Sequence, residues 1–247
     1  MGRGYLVTGT DTGVGKTVIT AALVGVWRRR GIDAVAIKPV QSGAIEAKGR
    51  IVPEDVVFYR HVAGLPQSID ELNLYRFTPA VSPHLAAKLS GERVEPSRVV
   101  DFCREVFQRH ELVLVEGAGG LCVPLSGPDF TVADLARELS LPLLVVARPG
   151  LGSINHTVLT VAYAQNRGLP VAGIIINGLK AGEAGPAEKD NPGIIATMTG
   201  VPVLGIVPYL PGVSVEKGSA DGLVETVENT VVWEDLVSRI CGCTGTG

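Results

Sequence analysis

Aromatic residues are scarce in this chain, at 5% of its 247 positions. The core must therefore be filled by aliphatic side chains, and Leu, Val, Ala and Ile supply most of the 46% hydrophobic content. A basic excess is also missing: 22 Lys and Arg face 25 Asp and Glu, for a net charge of -3. No positive field is present to hold nucleic acid or an anionic membrane surface. The one basic run, Arg28-Arg29-Arg30, stands at the end of an apolar-periodic segment, where cations suit a helix dipole in solvent. The four cysteines, Cys103, Cys122, Cys241 and Cys243, form no C-x-x-C pair and lack the convergent ligands of a zinc site. No apolar run approaches the roughly 20 residues of a membrane span. The first residues carry no basic segment leading into an apolar run and a small-residue cleavage site. These absences leave one domain over residues 1–247, expected in the cytoplasm, with a loose Cys/Gly/Thr tail.

What the chain does have is alternation. Short β-branched runs at Tyr5–Thr8, Ala34–Ile37, Leu112–Val115, Leu143–Ala147, Val171–Ile176 and Val203–Val207 read as strands. Most are apolar throughout, as parallel strands covered on both faces should be. Helical patterns fall at Lys16–Arg30, Pro96–Gln108, Thr131–Leu139, Ile154–Asn166, Asn191–Met198 and Leu223–Ile240. Cys103 lies inside one of them as a small core residue. Strand–helix alternation predicts a doubly wound, mostly parallel α/β sheet, with ligands gathered outside the carboxyl ends of the strands.

The strongest motif sits at the first such end. Gly9-Thr10-Asp11-Thr12-Gly13-Val14-Gly15-Lys16-Thr17 links the first strand to the first helix. Glycines let backbone N–H groups turn toward phosphate oxygens, and the helix N-terminus adds its dipole. Lys16 is placed to reach the outer phosphates of a nucleoside triphosphate, and Thr17 to coordinate Mg²⁺. The loop is one residue longer than the standard phosphate-binding motif. It also lacks the early lysine typical of partitioning and cell-division ATPases.

Other strand ends carry polar groups. Lys38 follows the second strand, where burial without an anion is costly and a phosphate cleft supplies one. Ser42-Gly43 can add donors to the same anion. Glu54 and Asp55 follow Pro53 at a potential helix start, and capping alone accounts for both acids. Glu116 immediately follows the third strand, where P-loop proteins place a carboxylate toward Mg²⁺, and glycines follow it. Gly150-Leu151-Gly152-Ser153-Ile154-Asn155-His156 opens a helix and offers a second anion site, although Ser153 and Asn155 serve equally well as caps. His156 has neither nucleophile nor metal to serve and reads as orienting. Asn177, before Gly178, reads as a turn residue.

Taken in order, these elements resemble the dethiobiotin synthetase family over roughly Tyr5 to Pro211. The anchors are Val7 through Thr17 with the lengthened loop, Lys38-Pro39-Val40 with Ser42-Gly43, and Val115-Glu116-Gly117-Ala118-Gly119-Gly120. Ser82-Pro83-His84, Gly152 with Ile154-Asn155-His156, and Asn177 agree as well. The resemblance implies a P-loop homodimer that turns 7,8-diaminononanoate, CO₂ and ATP into dethiobiotin, ADP and phosphate, through a carbamate and a carbamic–phosphoric anhydride. It further implies roles. Gly13, Val14, Gly15, Lys16 and Thr17 hold the phosphates, while Asn177 and Pro208 face adenine. Thr17, Asp55 and Glu116 hold Mg²⁺. Thr12, Lys16, Lys38 and Ser42 serve the reacting end. Gly152, Ser153, Ile154 and Asn155 hold the distant substrate carboxylate from across the dimer interface. Gly13 stands where some members carry glutamate, so no loop carboxylate takes part here. Two alternatives from the residues alone are a related acid-activating synthetase and a regulatory ATPase switch.

Overall fold

The computed structural model describes residues 3–182 and 184–241, so Cys243 and the expected loose tail lie outside the described residues. Six strands form one parallel sheet. Across the sheet they run Val203–Pro208, Val171–Leu179, Leu143–Ala147, Arg3–Gly9, Leu112–Glu116 and Ala34–Ile37. The first strand is central. Leu6 pairs with both Val115 and Leu143, so each neighbour comes from more than 100 residues later in the chain. The strands Leu112–Glu116 and Ala34–Ile37 lie to one side of it and the strands from Leu143 onward to the other. The connections thus diverge beside the carboxyl end of Arg3–Gly9, which opens a crevice there. This is the doubly wound α/β fold the alternation predicts.

The Leu112–Glu116 and Leu143–Ala147 strands are buried at every position, in keeping with sequences that are apolar throughout save for the closing Glu116. The helix Lys16–Arg29 is buried from Ile19 through Trp27, far more than one amphipathic face. It is enclosed by the sheet below and by the helices Glu54–Ala63 and Leu223–Thr230 beside it. Cys103 is fully buried, as expected.

Several elements differ from expectation. The segment 223–240 forms two helices, Leu223–Thr230 and Trp233–Cys241. Between them the backbone turns to the sheet edge: Val231 bridges Gly205, and Val232 N–H donates to Leu204 O at 2.8 Å. A Cβ at Gly205 would strike Thr230 O, so this close crossing needs glycine. Arg30 is not simply solvated. It pairs with Glu228, and its guanidinium lies 5.3 Å from the Trp233 ring centroid, pinning both C-terminal helices. The helix expected from Asn191 starts earlier, at Pro186, and carries Pro192 inside it. Helices Glu54–Ala63 and Pro83–Leu89 and the strand Val40–Ser42, which pairs with Tyr75–Phe77, each give a residue to the crevice wall.

Candidate active site

The crevice is a cleft of about 690 Å³, lined by Thr12, Gly13, Gly15, Lys16, Thr17, Lys38, Ser42, Asp55 and Glu116 among others. Nine sequence-flagged residues from four separate stretches thus meet in one place.

The loop is shaped by its glycines and its neighbour. Gly15 adopts φ +92°, and a Cβ there would collide with the Asn177 amide. Asn177 Nδ2 in turn donates to Val14 O at 3.0 Å. Asn177 is therefore a brace against the phosphate loop, and it lies within the strand Val171–Leu179 and not in the turn its sequence suggested. Lys16 is buried, and its Nζ donates to Asp11 O at 3.1 Å. Burial lowers its pKa, while the Glu116 carboxylate nearby works in the opposite direction.

Lys38 leaves the Ala34–Ile37 strand with its backbone fixed: its N–H donates to Leu72 O, and Asn73 Nδ2 donates to its carbonyl. Its ammonium meets Asp55, and Glu116 Oε1 at 2.9 Å. Burial works against this charge, but Glu116 and Asp55 together outweigh it and raise the pKa above the ordinary lysine value. Asp55 stands in the first turn of Glu54–Ala63, yet its side chain is turned to Lys38 and no side-chain bond caps the helix at Pro53. Asp55 thus has a partner in Lys38 besides its favourable place at the helix start.

Glu116, 2% exposed, is the hub. Its Oε1 accepts from Thr17 Oγ1 at 3.0 Å as well as from Lys38, and its Oε2 accepts from the Tyr59 hydroxyl. Burial and the adjacent carboxylate push the Tyr59 phenol well above its usual pKa, so it remains a donor. Sequence reasoning missed Tyr59. Its one available signal was position: Tyr59 is one helical turn after Asp55, on the same face.

The donors fit a hard cation. Thr17, Asp55 and Glu116 offer only oxygen, and among the described residues no three His, Cys, Asp or Glu side chains converge to hold a metal alone. One or two carboxylates completed by substrate phosphates is the usual arrangement for Mg²⁺.

Other flagged residues stand apart from this cleft in the single chain. Pro208 ends the edge strand, half-buried. Gly152 and Asn155 are exposed at the start of Ser153–Asn166, with Ile154 half-buried. Ser153 is buried, and its Oγ accepts from Asn191 Nδ2 at 3.3 Å. From the Ser82-Pro83-His84 segment, Ser82 and Pro83 line the cleft. A second cavity, of about 740 Å³, is bordered by Arg50, Arg60 and Arg76 and contains no flagged residue. Its Arg76 is already paired with Asp70.

Comparison with known proteins agrees with this geometry. A family model described as an AAA domain matches residues 3–217. The ATP-dependent dethiobiotin synthetase BioD of Anoxybacillus flavithermus is 44% identical, over 86% of this chain and 94% of that protein. The BioD of Anaeromyxobacter dehalogenans is also 44% identical, over 86% and 92%, and that of Bacillus cereus 42%, over 85% and 84%. Among solved structures, a ParA family ATPase from Chlorobium tepidum superposes with a TM-score of 0.58 at 15% identity, over 98% of this chain and 99% of that one. The septum site-determining protein MinD of Pyrococcus horikoshii gives 0.59 at 16%, over 99% and 98%. At that identity the structural likeness speaks for the fold alone. The sequence likeness reaches further, across most of both chains, and by it the protein belongs to the ATP-dependent dethiobiotin synthetase family.

Proposed function

We propose that this chain is an ATP-dependent dethiobiotin synthetase, a ring-closing ligase of biotin biosynthesis acting on 7,8-diaminononanoate and CO₂. The observation that carries the reading is the meeting of Lys16, Thr17, Lys38, Asp55 and Glu116 around one phosphate-loop cleft, in a chain 44% identical to such enzymes.

One substrate amine captures CO₂ as a carbamate. A carbamate oxygen attacks the γ-phosphorus and ADP departs, leaving a carbamic–phosphoric anhydride. The second amine attacks the carbamate carbon, phosphate leaves and the ureido ring closes. No covalent bond to the protein is needed, so the residues act by position and charge.

Gly13, Val14 and Gly15 bring backbone around the phosphates. Lys16, whose charge is disfavoured by burial, gains its counter-ions when phosphates enter. Lys38 stays protonated and steadies charge passing between carbamate and phosphoryl oxygens. Thr12 and Ser42, at the cleft wall, position the carbamate end. Thr17, Asp55 and Glu116 would hold Mg²⁺, which when bound neutralises and orients the transferring phosphoryl group. Asn177, already braced against the loop, and Pro208 face adenine.

The chain acts as a homodimer, and Gly152, Ser153, Ile154 and Asn155 bind the distant carboxylate of the partner's substrate. Leu151 and Leu159, 98% and 61% exposed beside that segment, support an apolar contact there. Among the described residues no helix is long and apolar enough to cross a membrane. We place the enzyme in the cytoplasm, without a nucleic-acid partner.

The test is phosphate release from MgATP with 7,8-diaminononanoate and bicarbonate, each omitted in turn, with the product weighed. Release should require both substrates and yield the mass of the cyclic urea. Release indifferent to both would overturn the reading.

A further inference from the structure

Glu116 has both carboxylate oxygens occupied, and the two are occupied differently. Oε1 meets Thr17 and Lys38, which border the cleft. Among the described residues Oε2 meets only Tyr59, which does not border it. Tyr59 is fully buried, within the helix that also presents Asp55. Phenylalanine would fill nearly the same space. A buried hydroxyl is tolerated where it is bonded and otherwise costs stability, so packing alone does not account for a tyrosine here.

We propose that Tyr59 is a positioning residue for the metal–nucleotide complex, clamping Oε2 so that the Glu116 carboxylate presents Oε1 to the cleft. The proposal rests on the reading of Glu116 as a Mg²⁺ ligand. The terminal torsion of glutamate is broad, and one anchored oxygen fixes the plane of the other. Without the hydroxyl the carboxylate samples other planes, and cation binding must order it again. Partners behind a metal ligand commonly change metal affinity or activity by about 10- to 100-fold. The lower end applies here, because Thr17 and Lys38 remain on Oε1. Tyr59 touches neither phosphate nor substrate, so the change belongs in metal affinity and not in turnover once the metal is saturating.

The experiment compares the full chain with Tyr59→Phe. Mn²⁺ is titrated in the presence of ADP, with free Mn²⁺ read by electron paramagnetic resonance. Tyr59→Phe should bind Mn²⁺ about tenfold more weakly. The Mg²⁺ needed for half-maximal phosphate release should rise by a similar factor, with kcat at saturating Mg²⁺ little changed. Equal Mn²⁺ affinity in a folded Tyr59→Phe chain overturns the proposal. A parent chain that binds no Mn²⁺ with ADP overturns instead the assignment of Glu116 to the metal. Should Tyr59→Phe fail to fold, 3-fluorotyrosine at position 59 keeps ring and hydroxyl while making the phenol a stronger donor. An altered Mn²⁺ affinity then supports the clamp, and an unaltered one sinks it.

Discussion

Lys38 sits between two carboxylates with only 10% of its side chain exposed, while Glu116 exposes 1% and Asp55 20%. Removing one member of such a buried set leaves the others uncompensated, typically at a cost of about 3 kcal/mol. Lys38→Met should therefore lower stability by about that amount in metal-free urea denaturation. Mg²⁺ with ADP should return more stability to the variant than it adds to the parent, because a cation replaces the lost ammonium. Its rate of dethiobiotin formation should fall by about two orders of magnitude. Equal stability in metal-free buffer would mean that Lys38 is not compensating these acids. At this scale the sequence was readable wherever a polar residue interrupts an apolar strand end, as at Lys38 and Glu116. Asp55 was ambiguous because an acid in a first helical turn already has a reason to be there. Tyr59 was silent because an aromatic beside Val56 and Phe58 looks like core, and its hydroxyl partner lies 57 residues away.

Helix Val132–Glu138 follows the Gly117–Leu125 stretch over the sheet and begins with a reciprocal cap. Asp134 Oδ2 accepts from Thr131 N at 2.9 Å and from Thr131 Oγ1 at 2.6 Å, while Thr131 Oγ1 accepts from Asp134 N. Asp134 Oδ1 takes Arg137 at 2.8 Å and Arg167 at 2.6 Å, tying this helix to Ser153–Asn166. Burial opposes the charge of Asp134, but the Thr131 bonds and the two arginines outweigh it and hold its pKa below 3.8. A depressed folded pKa stabilises above the unfolded value, and that contribution fades as pH falls through the folded one. Asp134→Asn should cost about 1–2 kcal/mol at neutral pH, mostly through the cap, since Arg137 is half exposed. The difference should shrink as pH drops below 3.8, as chemical denaturation at a series of pH values would reveal. An unchanged gap at acid pH would assign the loss to shape instead of charge. The sequence pattern places this helix at Thr131–Leu139, one residue too long at each end, and does not show that Thr131 is its cap. The break at Val231-Val232 was not legible, because nothing in an apolar helical pattern announces that the backbone is claimed by Leu204 and Gly205 of the sheet edge.

Across the whole molecule, the single-chain cleft holds the phosphate-loop residues Thr12, Gly13, Gly15, Lys16 and Thr17 but not Gly152 and Asn155. If the second anion site serves the partner's cleft, two different defects in two chains leave one site intact in each mixed dimer. Lys16→Ala and Asn155→Asp chains, each inactive alone, should recover about a quarter of parental activity when co-expressed, since half the dimers are mixed. No recovery would mean that each chain builds its site unaided. The architecture was largely legible, because six apolar runs with helices between them admit few arrangements. The order of the strands was not, since parallel strands of similar Val, Ile and Leu content carry little in their sequence to tell one neighbour from another.

That strand order has a consequence for how the molecule is made. The segment Arg3–Gly9 is synthesised well before both of its partners, yet it takes the middle of the sheet between Leu112–Glu116 and Leu143–Ala147. At about 5–20 residues per second, synthesis reaches the second of these partners roughly 7–30 s later. Throughout that interval Tyr5, Leu6 and Val7, all buried in the finished protein, lack one or both native neighbours. The nascent chain must keep its central strand sheltered by the following helix or by a chaperone until the sheet can close around it.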